Sequence, residues 1–312
     1  MSLKNRLFKR GLATLLSREM GALPVARSMD NEGEVCPFDL SRRLDEVMAR
    51  HTLCKNRLNG SVELRARVAV LQEWQKSRVA RTYHRFLHHK ALGQATRFVL
   101  EEAYAGPEHD ALIAEIERVA PYLVRIFPVP LVQIACDILM LNVITLELDI
   151  ALGEAWTAER LPWEDACELT VSAYEDLFCT VGQFDRRREQ LGLIRKLGDS
   201  IECYLGSQWI YAAFKVAQFP AKALGLTQLV DFMDSGFMAI HALPIPGSDL
   251  VSIIAESEMG YLERLSCGER GVLGQSVCAE TDQACDALMS RATRQALSDE
   301  AHQSSSRKIN VA

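Results

Sequence analysis

The sequence predicts an all-α protein, a single-domain multi-helix bundle, on three observations. Apolar residues recur at the 3.6-residue spacing of a helix between about residues 60 and 265. Proline and glycine interrupt that pattern at intervals that leave segments of helix length between them. No segment of four to eight residues alternates apolar and polar side chains between turn signals, as a half-buried strand would. We therefore expect one helical core and no sheet.

The chain divides into three predicted parts. Residues 1–38 are an amphipathic basic helix with a linker, residues 39–266 are the helical domain, and residues 267–312 are a weakly structured tail that ends in disorder. The first helix is predicted over residues 3–23, where leucines at helical spacing lie between Lys and Arg side chains. It lacks the continuous apolar core of a secretory signal. Such a helix can lie on an anionic membrane surface, act as a targeting segment or dock on its own protein.

The domain begins with a long helical region from about Asp39. Asn59-Gly60 predicts a break within it, and Ser61 is the predicted N-cap of the helix that resumes, with Glu63 in its first turn. A kink near Gly93 leads into a helix that ends at Gly106-Pro107. The later predicted helices cover residues 108–120 before Pro121, 131–155, a segment starting at Pro162, one capped by Asp185, 205–219 before Pro220, 226–240 and 248–265.

Bulk composition indicates a soluble globular protein, with 48% apolar and 24% charged residues. The net charge of −6 argues against a general nucleic-acid binder. Residues 40–100 hold 13 Lys/Arg and 4 Asp/Glu, whereas residues 101–180 hold 3 and 16. Either helices of opposite charge lie against each other, or a polarised surface steers a charged partner.

Nine cysteines form an odd set without a C-x-x-C pair or zinc-ligand spacing. We therefore expect free thiols in a reducing, cytoplasmic compartment, with membrane association through residues 3–23 as an option.

Residues 98–104 read Phe-Val-Leu-Glu-Glu-Ala-Tyr. This segment resembles the signature of the bacterial FFLEELY-motif proteins, from which it departs at Val99 and Ala103. Residues 141–149 and 220–237 resemble two further blocks of that family, so the resemblance covers roughly residues 65–265. It implies a family and no chemistry.

The signature contains the first candidate site residues. We expect Phe98, Leu100 and Tyr104 to pack toward the core. Adjacent side chains point about 100° apart on a helix, so Glu101 and Glu102 cannot easily chelate one ion. We expect Glu101 to meet a basic group, and both carboxylates are candidate ligand-binding residues.

The apolar helix beginning at residue 131 carries the other candidates, Asn142, Glu147 and Asp149. Asn142 and Asp149 share one stripe, and Glu147 lies on roughly the opposite one with Asp137. If one stripe faces solvent, the other is buried and must find polar partners, either arginine and backbone groups or a bound ligand or metal ion.

His84 and His88 are spaced i, i+4, which can place two imidazoles on one metal ion, but the nearby arginines favour a solvated basic flank. The chain lacks a G-x-S-x-G elbow, a phosphate-binding glycine loop and a G-x-G-x-x-G fingerprint. The sequence thus favours a binding or interaction protein with a protein partner, in one form peripheral to membranes. The alternative is an all-α enzyme that uses a metal ion or cofactor with the carboxylates of residues 98–104 and 142–149.

Overall fold

The computed structural model describes residues 37–103, 110–126, 129–156, 169–205, 208–223, 225–274, 280–291 and 293–294. Within these ranges the regular elements are helices and there is no strand. The predicted all-α fold is confirmed. Residues 1–36, with the predicted N-terminal helix, lie outside the described residues, as do residues 295–312.

The described part of the chain contains the following eleven helices in chain order. They are α1 (Pro37–Gly60), α2 (Val62–Thr82), α3 (His84–His88), α4 (Gly93–Ala103), α5 (Asp110–Ile126), α6 (Val129–Ala155), α7 (Val171–Val181), α8 (Phe184–Leu205), α9 (Gln208–Ala223), α10 (Thr227–His241) and α11 (Gly247–Ser266). A further helical stretch, α12, covers residues 280–291.

Helix ends follow the local signals in part. The predicted break at Asn59-Gly60 is confirmed, because α1 ends at Gly60 and the Ser61 hydroxyl accepts the Leu64 N–H at 3.1 Å. Two prolines predicted to end helices do not, since α5 runs through Pro121 and α9 through Pro220. A proline removes one backbone donor, but the helix can continue past it. At the end of α9 the chain turns at Gly225, whose φ of 78° is readily adopted by glycine.

Helix α6 lies at the centre of the bundle, in contact with α1, α2, α5, α7 and α8. It is apolar on all sides, as a helix surrounded by protein must be. Neither of its two polar stripes lies fully in solvent, although Glu147 is partly exposed. Asp137 and Asp149 lie on opposite stripes, and both are 1% exposed. None of the helices in the described ranges combines the length and apolar character needed to cross a membrane.

The uneven charge of the chain is explained by pairing between α1 and α6. Arginines at seven-residue intervals on α1 meet carboxylates on α6, in the pairs Arg43–Asp137 at 2.7 Å, Arg50–Glu147 at 2.6 Å and Arg57–Glu154 at 2.5 Å. The pairs follow the same order on both helices, so α1 and α6 run parallel. Helices of opposite charge therefore lie against each other, as one of the two interpretations predicted.

Residues beyond the predicted boundary at residue 267 contact the helical bundle where the structure describes them. The N–H groups of Gly271 and Leu273 donate to the Glu175 carboxylate at 2.6 and 2.8 Å, and Leu273 is buried. In α12, the Thr281 hydroxyl donates to the Thr82 carbonyl at 2.7 Å, and Cys285 is buried. A carboxylate on α7 and a backbone carbonyl on α2 thus hold a segment whose own apolar pattern is weak.

Candidate ligand-binding cavity

A cavity of about 120 Å³ lies between α4, α5, α6, α8, α10 and α11. Each helix contributes apolar side chains to its wall. These are Ala95, Phe98 and Val99 from α4, Leu112, Ile113 and Ile116 from α5, Ile138, Leu139 and Leu141 from α6, Ile194 and Leu197 from α8, Phe232, Ala239 and Ile240 from α10, and Leu250 and Val251 from α11. The wall is therefore built from the inward stripes of six amphipathic or apolar helices.

Two glycines lie at this wall, and one of them is at a close approach between helices. A Cβ atom at Gly198 on α8 would lie only 2.7 Å from the Val251 Cβ on α11, so the Val251 side chain packs directly against the α8 backbone there. A Cβ atom at Gly247 would lie 3.7 Å from a Glu202 carboxylate oxygen, which is an ordinary contact. Only Gly198 is thus required to be small.

Asn142 and Glu202 are the two polar side chains among the lining residues. The Glu202 Oε2 atom accepts the N–H of Ser248 at 2.5 Å, in the first turn of α11. That helix begins after Pro246, which provides no side-chain cap, so Glu202 supplies the missing acceptor from α8. A carboxylate at a helix N-terminus is also favoured by the helix dipole. Sequence reasoning missed Glu202, because its partner lies 46 residues away.

The signature segment forms part of this wall. Phe98 is half-buried and its ring packs against Phe232 at a centroid distance of 5.6 Å, while Leu100 is buried. The predicted packing of these two residues toward the core is confirmed. Tyr104 and the side chains of Glu101 and Glu102 lie outside the described residues, so their roles stay predictions.

The three candidates on α6 separate from one another. Asn142 lines the cavity, whereas Glu147 and Asp149 are not among its lining residues. Glu147 accepts both Nε and a terminal nitrogen of Arg50, at 2.9 and 2.6 Å, and it also accepts Arg186 at 2.7 Å. Its oxygens are therefore held by two guanidinium groups, an arrangement that joins α1, α6 and α8.

Asp149 belongs to a buried polar network. Its carboxylate accepts the side-chain amides of Gln72 and Gln75 at 3.0 and 3.2 Å, and the Gln75 amide also reaches the Tyr174 hydroxyl at 3.1 Å. Burial raises the pKa of Asp149 above 3.8, and the positive charge of Arg187 opposes that rise. The contacts join α2, α6 and α7. Asp149 therefore has the structural role that the sequence allowed as an alternative to ligand binding.

His84 and His88 are engaged separately. The Nδ1 atom of His84 is 3.9 Å from the Asp282 carboxylate, and the Nδ1 atom of His88 is 2.7 Å from the His84 carbonyl oxygen. Within the described part of the chain, no group of three or more His, Cys, Asp or Glu side chains is placed to hold a metal ion. A metal site at His84 and His88 therefore stays a prediction without added support.

A family model described as "Domain of unknown function (DUF8198)" matches residues 54–271. The chain belongs to this family. The match spans α2 to α11, and every lining residue of the cavity falls inside it. No curated protein and no solved structure is significantly similar to the chain.

The residues of the ionic contacts lie partly inside and partly before the range that the DUF8198 model matches. Glu147, Asp149 and the two glutamine partners of Asp149 lie inside the range, whereas Arg43 and Arg50 precede it. The cavity wall thus lies within the family match, while part of the ionic framework is completed by the preceding segment of α1.

Proposed function

We propose that this DUF8198 domain functions by binding a small, mainly apolar molecule in the cavity. The observation that carries the proposal is a cavity of about 120 Å³ whose wall is apolar except for Asn142 and Glu202. Small-molecule sites in proteins usually combine such a wall with a few polar groups that orient the ligand. An apolar cavity of about 150 Å³ takes up benzene. A single ring or a chain of about six carbons therefore matches the space here.

The polar wall residues define the expected ligand further. An ionised carboxylate such as Glu202 only accepts hydrogen bonds, so a ligand group near it should carry an O–H or N–H. Burying about six methylene-sized groups contributes about 5 kcal/mol, which corresponds to a Kd in the high micromolar to millimolar range. We therefore expect a short aliphatic or monocyclic alcohol or amine to bind weakly unless it extends beyond the cavity.

The FFLEELY resemblance is part of this proposal. Phe98 and Val99 line the cavity, so the apolar positions of the signature would serve the ligand wall. We place the protein in a reducing bacterial cytoplasm, since the described cysteines are free and Cys54, Cys136 and Cys285 are buried.

The enzyme alternative has weaker support. Glu147 and Asp149 are occupied by arginine and glutamine side chains and do not line the cavity. A catalytic role for Glu101 and Glu102 stays a prediction, because their side chains lie outside the described residues.

Ligand-detected NMR with benzyl alcohol and cyclohexanol tests the binding proposal. Ala239 is buried at the cavity wall, so Ala239→Leu should fill the space and abolish saturation transfer to both probes. Ala69 is exposed on α2, and Ala69→Leu is the matched control that should leave binding unchanged. Ala95→Leu provides a second filling variant, and circular dichroism checks that each variant is folded. Absent binding to the wild type, or equal binding to folded filling variants, would reject the proposal.

A further inference from the structure

Helix α9 carries an exposed apolar stripe on its outer face. Ala212, Val216, Phe219 and Ala223 follow i, i+4, i+7 and i+11 spacing, which places them on one side of the helix. All four are exposed, Phe219 at 84% and Val216 at 57%. The opposite face is apolar too, since Phe214 is buried against the bundle. Contiguous exposed apolar surface of this kind marks an interaction site. We name these four residues the α9 stripe.

The charges beside the α9 stripe favour a protein segment over a lipid surface. Lys215 and Lys222 lie along one edge and pair with Asp234 and Asp231 of α10, at 2.6 and 2.7 Å. Each lysine is thus matched by a carboxylate. Attraction of a surface to anionic lipid depends on unmatched basic residues, which this edge does not offer.

The course of the chain brings one particular segment to this surface. Leu40 and Leu44, near the start of α1, belong to a buried cluster that also contains Leu226, and Ala221 near the C-terminal end of α9 packs against this cluster. The 36 residues that precede α1 therefore join the bundle at the cluster that the C-terminal end of α9 contacts. Residues 24–36 alone can span roughly 40 Å when extended, and α9 with its 16 residues is about 24 Å long. Residues 3–23 can reach every part of the α9 stripe.

Residues 3–23 also have the matching chemistry. Their leucines and Met20 recur at helical spacing, which would form an apolar face about 30 Å long, enough to cover the stripe of about 17 Å. The segment holds five Lys/Arg and one Glu, a net charge of +4. Because the whole chain has a net charge of −6, the rest of the chain carries −10. A basic segment is thus attracted to the remainder of its own protein.

We propose that residues 3–23 form a helix that docks its leucine face on the α9 stripe of the same chain. Docking covers Val216 and Phe219 and keeps this surface from associating with other molecules. It rests on the exposed stripe, the position of the chain end and the opposite charges, and it is independent of what the cavity binds.

Hydrogen–deuterium exchange on the full-length chain tests the docking. The amides of residues 3–23 should exchange at least ten-fold more slowly than in an unprotected peptide. The double variant Val216→Ser, Phe219→Ser should remove that protection. Leu53 and Val62 are also exposed apolar residues, so Leu53→Ser, Val62→Ser is the matched control that should retain it. Because all four side chains are exposed, the variants should fold.

Three outcomes would overturn the proposal. One is unprotected exchange of residues 3–23 in the wild type, or protection that survives the Val216→Ser, Phe219→Ser change. Another is protection that appears only with vesicles of phosphatidylserine and phosphatidylcholine, which would assign the segment to membranes. The third is protection that rises with protein concentration between about 1 and 100 μM, which would indicate docking on a second copy.

Discussion

Gly198 lies at a close approach between α8 and α11, and its replacement by alanine measures that contact. The new Cβ atom would lie 2.7 Å from both the Cβ and a Cγ atom of Val251. Carbon atoms in contact prefer 3.5–4.0 Å, so the overlap is roughly 1 Å. Overpacking of this kind costs about 1–3 kcal/mol, because the neighbouring helix must shift.

Helix propensity acts in the opposite direction, and a second glycine separates the two effects. Alanine is favoured over glycine in a helix interior by about 1 kcal/mol. Gly192 lies on the same helix, and a Cβ atom there would meet nothing within 4 Å. Gly192→Ala should therefore stabilise the protein by up to about 1 kcal/mol. Gly198→Ala should be less stable than Gly192→Ala by about 1–3 kcal/mol, since the propensity gain cancels between them.

Urea unfolding followed by circular dichroism at 222 nm measures both variants. The comparison uses the midpoint and the slope, because an unchanged slope shows that only stability has changed. If Gly198→Ala were as stable as Gly192→Ala, α8 and α11 would not approach as closely as the structure describes. The described geometry of the cavity wall at Gly198 would then be wrong.

Three further variants test separate contacts. Ser61→Ala should cost about 1 kcal/mol in urea unfolding, because it removes the acceptor of the Leu64 N–H, and an unchanged midpoint would show that the cap does not stabilise α2. Phe98→Ala should cost about 2 kcal/mol, roughly half of the value for a fully buried phenylalanine, and wild-type melting would contradict its packing against Phe232. Burial raises the pKa of Asp149 above 3.8, so the folded wild type loses stability relative to Asp149→Asn as pH rises from about 4 through the raised pKa. Urea unfolding of both proteins at pH 4 and at pH 7 measures this. An equal difference in unfolding free energy at the two pH values would contradict the prediction.

The sequence predicts a helix boundary well where the stabilising contact joins residues that are close together in the chain. Ser61 caps α2 through Leu64, three residues along, and such a contact can be inferred from the sequence. The polar residues of α6 could not be assigned in the same way. Asp137 meets Arg43 from 94 residues away and Lys196 from 59 residues away, and these partners on other helices cannot be inferred from the pattern of α6 itself.

The cavity could not be predicted for a related reason. It forms where the inward stripes of six helices leave space, and no single stripe differs from an ordinary core stripe. Asn142 was a candidate because it interrupts an apolar helix. Glu202 is one of many charged residues on α8, and only the start of α11 beside it makes its role visible.

The segment that precedes the family match should be required for a stable fold. Leu40, Leu44 and Val47 of α1 are buried in the same cluster as side chains of α5 and α6, and a chain beginning at residue 54 would lack all three. Each fully buried side chain of this size contributes about 1.5–3 kcal/mol, so their loss removes roughly 5–9 kcal/mol. That is close to the whole stability of an ordinary domain, about 5–15 kcal/mol.

The same truncation would leave Asp137 with Lys196 alone and Glu147 with Arg186 alone, because Arg43 and Arg50 are removed. A buried carboxylate that loses a cationic partner is strongly destabilising. We therefore expect residues 54–312 to be unfolded or aggregated and residues 37–312 to melt cooperatively, as judged by circular dichroism and size-exclusion chromatography. The chain from residue 37 is the matched control, since both lack the N-terminal segment. A cooperative, monomeric chain from residue 54 with the same midpoint would show that α1 is an accessory to the DUF8198 domain rather than part of its core.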